Sequence, residues 1–138
     1  MALYIAKVTV PPNTPETNPV EIKVPVEGRY LEKIEYRFPA GCFEAVKVRV
    51  MYGNRVISPK GRLKWVDGEN EKIEDYVEWP LPSYRCTLTI QAYSEAEDYE
   101  HTITVRFVVR HRIPREIFEE LSLLLRAILA RFKLLAGI

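Results

Sequence analysis

The sequence predicts an all-β fold, an antiparallel sandwich of about seven or eight strands, jelly-roll or immunoglobulin-like, with one C-terminal α-helix. Three observations carry this. Through roughly the first hundred residues, apolar side chains recur with a period of two, the pattern of half-buried strands. Prolines, glycines and asparagines interrupt that pattern at regular intervals, and no helical stretch intervenes. At Pro114 the period changes to three and four residues and stays so to Leu135. A chain of 138 residues is long enough for one such domain but not two, which divides it into a sandwich over 1–112 and an amphipathic helix over 113–138.

Leu3 to Val10 reads as the first strand and ends at Pro11-Pro12. The segment from Pro11 to Pro19 also holds Pro15 and lacks the donors of a central strand, so it is expected to be an extended surface connection. It is either an ordinary crossover between sheets or an arm that docks on a neighbour through Pro11, Pro12, Pro15 and Pro19, losing little entropy because proline has already restricted it. Val20, Ile22, Val24 and Val26 then alternate with polar positions, and Pro25 among them points to a sheet edge. After the Glu27-Gly28-Arg29 turn, Tyr30, Ile34, Tyr36 and Phe38 share one face. Val46, Val48, Val50 and Tyr52 share another, and Gly53-Asn54 turns the chain into Arg55–Ser58.

Arg62 to Val66 reads as a short strand or a bent loop. Ile73, Val77 and Trp79 alternate with acidic residues. Tyr84, Cys86, Leu88, Ile90 and Ala92 line one face of the next strand. His101, Ile103, Val105, Phe107 and Val109 line one face of the strand after it.

The helix is the informative element. Pro114 suits a first turn, with acidic Glu116, Glu119 and Glu120 early and basic Arg126, Arg131 and Lys133 late, as the helix dipole favours. Ile117, Leu121, Leu124, Leu125, Ile128, Leu129, Phe132 and Leu135 occupy a broad arc, and Leu123, Ala127 and Leu134 widen it. A polar stripe remains along Arg115, Glu119, Ser122, Arg126 and Lys133. That is more apolar surface than a helix covering one sheet presents, so something beyond the chain's own sandwich is expected to cover it. The expected cover is further copies of the chain or another protein, and the alternative is that the helix folds back and is buried on its own sheet. A membrane surface ranks behind these, because the stripe mixes both charge signs.

Little in the sequence speaks for chemistry. Twenty Lys and Arg against nineteen Asp and Glu leave a net charge of +1, so no overall field calls for nucleic acid. Two cysteines are too few for a four-thiolate zinc site, and two histidines leave little for a histidine-based one. Cys42 and Cys86 pair across the sheets or serve as two small buried hydrophobes. His101 is expected at the edge of the core and His111 at a solvated hinge. The basic run Arg106, Arg110, Arg112 and Arg115 reads as a salt-linked surface, and the acidic group Glu69, Glu71, Glu74, Asp75 and Glu78 as a solvated face. Trp65, Tyr76 and Trp79 either complete the core or form a sugar-binding platform. No phosphate loop, nucleophile elbow or metalloprotease motif appears. The expectation is a protein that is not an enzyme, with no catalytic residue, metal or cofactor. Its alternative is a carbohydrate- or ligand-binding module for host attachment.

The N-terminal residues show no secretory pattern, and no long uncharged apolar run suggests a membrane span. Four Asn, one Gln and many loop prolines fit a hot-environment source. The stretches Pro11–Pro19, Phe38-Pro39-Ala40-Gly41-Cys42 and Tyr99-Glu100-His101-Thr102 resemble small β-sandwich proteins encoded by viruses of thermophilic archaea and bacteria. The resemblance covers about residues 1–110, with the helix as an addition. It implies a virion component, such as a capsid decoration, vertex or tail-associated subunit, with capsid or tail proteins as partners. The expected location is therefore the virion for a viral protein and the cytoplasm otherwise.

Overall fold

The computed structural model describes residues 1–61, 63–112 and 115–135, with helix side chains from Glu119 to Phe132. Among these are nine strands and one helix. The strands are β1 (Ala2–Val10), β2 (Val20–Glu27), β3 (Tyr30–Phe38), β4 (Val46–Tyr52), β5 (Arg55–Ser58), β6 (Glu71–Asp75), β7 (Trp79–Pro80), β8 (Arg85–Ser94) and β9 (His101–Arg110). The helix is α1 (Arg115–Leu135). The ninth strand arises because the Ile73–Trp79 stretch, which alternates in sequence, breaks at Tyr76–Glu78 into β6 and the two-residue β7.

The pairing is nested. β1 runs antiparallel to β9, β2 to β8, β3 to β6 and β4 to β5. This is one long antiparallel ribbon, and rolling it up adds the pairs β9–β3 and β8–β4. The result is two sheets in the orders β1-β9-β3-β6 and β2-β8-β4-β5, with β7 beside β3. Of the two sandwich types the sequence allows, this wound ribbon is the jelly roll.

The core lies between the sheets. Val8, Val10, Ile34, Tyr36, Phe38, Ile103, Val105, Phe107 and Val109 fill it from one side. Val26, Val46, Val48, Val50, Leu88, Ile90 and Ala92 fill it from the other. Pro25 lies on edge strand β2, where its missing N–H breaks no central ladder.

Two local readings change. In β3 the register shifts between Leu31 and Lys33, so Tyr30 and Leu31 are both buried although adjacent, and strict alternation begins only after the bulge. Tyr84 precedes β8 and is exposed, so it is not part of that strand's core face. The Arg62–Val66 stretch is mostly loop; Val66 alone bridges to Val48, and Arg62 lies outside the described residues.

Candidate functional site

The apolar helix is the feature that the sandwich leaves unfinished. At 21 residues and about 1.5 Å per residue, α1 is a rod of about 31 Å. Among the described residues, the core cluster ends at Val109 and takes in no helix side chain. Leu121, Leu123, Leu124, Leu125, Ile128, Leu129 and Phe132 are between 51% and 71% exposed. Ile117, Leu134 and Leu135 belong to the same helix; their side chains, and the Pro114 start, lie outside the described residues. On the polar side, Glu119, Ser122, Leu123 and Arg126 line a shallow groove. At about 25 cal/mol per Å² of apolar surface removed from water, covering such a face is worth several kcal/mol.

The proline segment carries the chain from β1 in one sheet to β2 in the other. It is bound to its own sandwich: the Asn13 N–H donates to the Ala96 carbonyl (2.8 Å) and the Ser94 N–H to the Thr14 carbonyl (3.3 Å). The Thr14 hydroxyl donates to the Pro11 carbonyl at 2.6 Å. Pro11 and Pro15 are exposed, whereas Pro12 and Pro19 are half-buried.

Trp65, Tyr76 and Trp79 each have their own partners. The Trp65 ring meets Tyr93 edge-on with centroids 4.7 Å apart, and its indole N–H donates to Glu16 at 3.3 Å. Trp79 packs on Tyr52 at 5.4 Å. Tyr76 is exposed, donates to Glu74 at 3.1 Å and lies under the Lys33 ammonium.

Cys42 is buried and Cys86 half-buried, and both are free. Burial raises both thiol pKa values, and the Glu69 charge raises that of Cys42 further, so neither is poised as a thiolate. His101 is half-buried at the start of β9, and His111 is exposed beyond its end. Among the described residues, no three His, Cys, Asp or Glu side chains gather as a metal-binding group. No described helix is long and apolar enough to cross a membrane.

The acidic group is more than a solvated face: Glu74 also pairs with Lys33 and Lys72, and Glu71 accepts the Glu69 N–H. Glu69 accepts the Gly41 N–H at 2.8 Å and also the Phe43 N–H, and so clamps the β3–β4 loop. Asp75 accepts the Ser58 hydroxyl at 2.6 Å and the Lys60 N–H at 3.1 Å. Of the basic run, Arg110 pairs with Glu32 at 2.7 Å.

Sequence reasoning passed over three surfaces. Leu3 and Ile5, on edge strand β1, are each 54% exposed, and their alternation with half-buried Tyr4 and Ala6 was the available signal. Phe43 and Tyr99, both largely exposed, flank a hollow of about 510 Å³ between the β3–β4 and β8–β9 loops. No sequence signal joins these two loops. The third surface is a basic cleft lined in part by Lys60 and Lys64, whose closeness in the chain was the available signal.

No family model and no curated protein matches the chain. Among solved structures, it is similar to a crystal structure of PirA at 14% identity, over 76% of this chain and 94% of that one, with a TM-score of 0.40. It is also similar to the structure of infectious bursal disease virus, Gt strain, at 7% identity, over 79% of this chain and 32% of that one, with a TM-score of 0.40. The aligned region thus spans about a third of the viral chain. Likeness of this degree assigns neither protein's role to this chain.

Proposed function

We propose that the chain is a non-enzymatic assembly subunit that forms homo-oligomers through α1, in the role of a virion accessory such as a capsid decoration, vertex or tail-associated protein. The exposed apolar helix carries this reading. The jelly roll itself is shared by capsid proteins and lectins and does not decide between them.

Two features favour copies of the same helix as the cover. Leu121, Leu125, Ile128 and Phe132 recur at alternating intervals of four and three residues, which is the spacing of a coiled-coil seam. Acidic side chains occupy the first turns and basic ones the last, so antiparallel copies bring opposite charges level. With a net charge of +1, the chain raises little long-range repulsion against association.

Light scattering of the full chain is the direct test, with an oligomer as the expected result. Leu125→Glu should dissociate it, because a carboxylate in the seam is costly to bury. Removal of residues 114–138 should leave a folded monomer, since every described core residue lies at or before Val109. A monomeric full-length protein overturns the proposal. Flotation of that monomer with liposomes, lost in Leu124→Glu, would assign the helix to a lipid surface instead.

A further inference from the structure

A cleft of about 410 Å³ lies beside β5, where the β5–β6 loop meets β7. Arg49, Arg55, Lys60 and Lys64 line it together with Val77 and Trp79, and no carboxylate is among its described lining residues, while Asp67, Glu74 and Asp75 line the adjoining hollow that shares Lys60. In a chain of net charge +1, four cations without an acid make a strong local excess. Elsewhere on the molecule, Lys33, Lys47, Lys72, Arg85 and Arg110 each form an ion pair. Among the described residues, none of the four in the cleft does.

One of the cations, Arg49, is held in place. Glu21 accepts from the Gln91 amide at 2.6 Å, and the Gln91 carbonyl accepts from Arg49 Nε at 2.8 Å. The Arg49 guanidinium lies 4.1 Å from the centre of the Trp65 ring, which is itself braced by Tyr93. One nitrogen and one face of this arginine are thus engaged, while its two terminal nitrogens meet no protein acceptor among the described residues. A guanidinium fixed in this way is pre-organised for an oxyanion fork.

The loop that carries Lys60 and Lys64 is tied at both ends. At its start the Tyr36 hydroxyl donates to Ser58 at 2.6 Å, Ser58 donates to Asp75 at 2.6 Å, and Asp75 accepts the Lys60 N–H. At its end Val66 and Val48 exchange two backbone hydrogen bonds of 2.9 and 2.8 Å. Like charges gathered in a recess repel one another and focus a positive field, which a bound anion neutralises.

We propose that this cleft binds a multiply charged phosphate or sulfate ester, whose oxyanions are met by Arg49, Arg55, Lys60 and Lys64 while its carbon frame packs against Val77 and Trp79. The site is independent of the helix and of the assembly role.

Calorimetric titration of the full chain with inorganic tripolyphosphate and with sucrose octasulfate tests this. Saturable binding of at least one probe, at one site per chain and weakened by added salt, is the expected result. Lys60→Gln/Lys64→Gln should lose about tenfold or more in affinity, as should Arg49→Gln. Lys23→Gln, which removes an exposed charge on β2 that does not line the cleft, should lose far less. Lys60 and Lys64 are exposed and outside the core, so the double variant keeps its fold, as its circular dichroism would confirm. Tripolyphosphate binding marks a phosphate site, and octasulfate binding alone marks a sulfated saccharide. Failure of both probes, undiminished affinity in the cleft variants, or an equal loss in Lys23→Gln overturns the proposal.

Discussion

Gly28 occupies the turn between β2 and β3 with φ +154°, a conformation that side chains other than glycine's rarely adopt. A Cβ there would stand 2.3 Å from Val109 Cγ1 and 3.1 Å from the Arg110 carbonyl oxygen, and Val109 is fully buried. Gly28→Ala should therefore lower the unfolding free energy by about 2 kcal/mol or more, read from urea denaturation. Glu69 acts through its charge. The N–H groups of Gly41, first, and Phe43 stabilise its carboxylate and lower its pKa from the ordinary 4.5. A carboxylate lowered on folding contributes stability that is present above its unfolded pKa and is lost as pH falls through the folded one. The acid limb of the wild-type stability profile, below about pH 4.5, should accordingly flatten in Glu69→Gln, as denaturation at stepped pH will show.

Among the elements, α1 has the least support from the rest of the fold. Most helical stability in proteins comes from packing of an apolar face, so the persistence of α1 depends on what covers it. Amide hydrogen exchange should show its backbone protected at high protein concentration and exposed on dilution, with β3 and β9 protected throughout. Equal protection at all concentrations would mean that association does not sustain the helix. Most elements were legible in the sequence because one rule, burial of one face, governs them: the valines of β2 and β4, the alternation of β8 and β9, and the change of period before α1. Rules of another kind hid the rest. The bulge in β3 is a backbone event that side-chain identity does not announce, and β7 is too short for a period. The clamp by Glu69 and the anchoring of Lys60 by Asp75 join loops far apart in the chain, and an acidic residue looks the same whether it is solvated or bonded.

At the scale of the molecule, alternation told which residues face inward but not which strands meet. Ala2 and Val109, 107 residues apart, are register partners, and nothing local in either segment specifies the other. For this reason the sequence left jelly roll and immunoglobulin-like arrangements open, and only the nested order of pairs separated them. The candidate sites follow the same division. The helix was legible because its apolar stripe lies within one segment, whereas the basic cleft brings together Arg49, the 60–64 loop and Trp79, which no local pattern connects.

The nested pairing also bears on biosynthesis. Both ends of the ribbon must be present before the outermost ladder forms, so the N-terminal strand waits, unpaired, until nearly all of the sandwich has left the ribosome. The adhesive helix is translated only after β9, the strand that completes that ladder. Every strand of the described core thus precedes the exposed helix in the chain, so no part of the sandwich waits for that segment to be made.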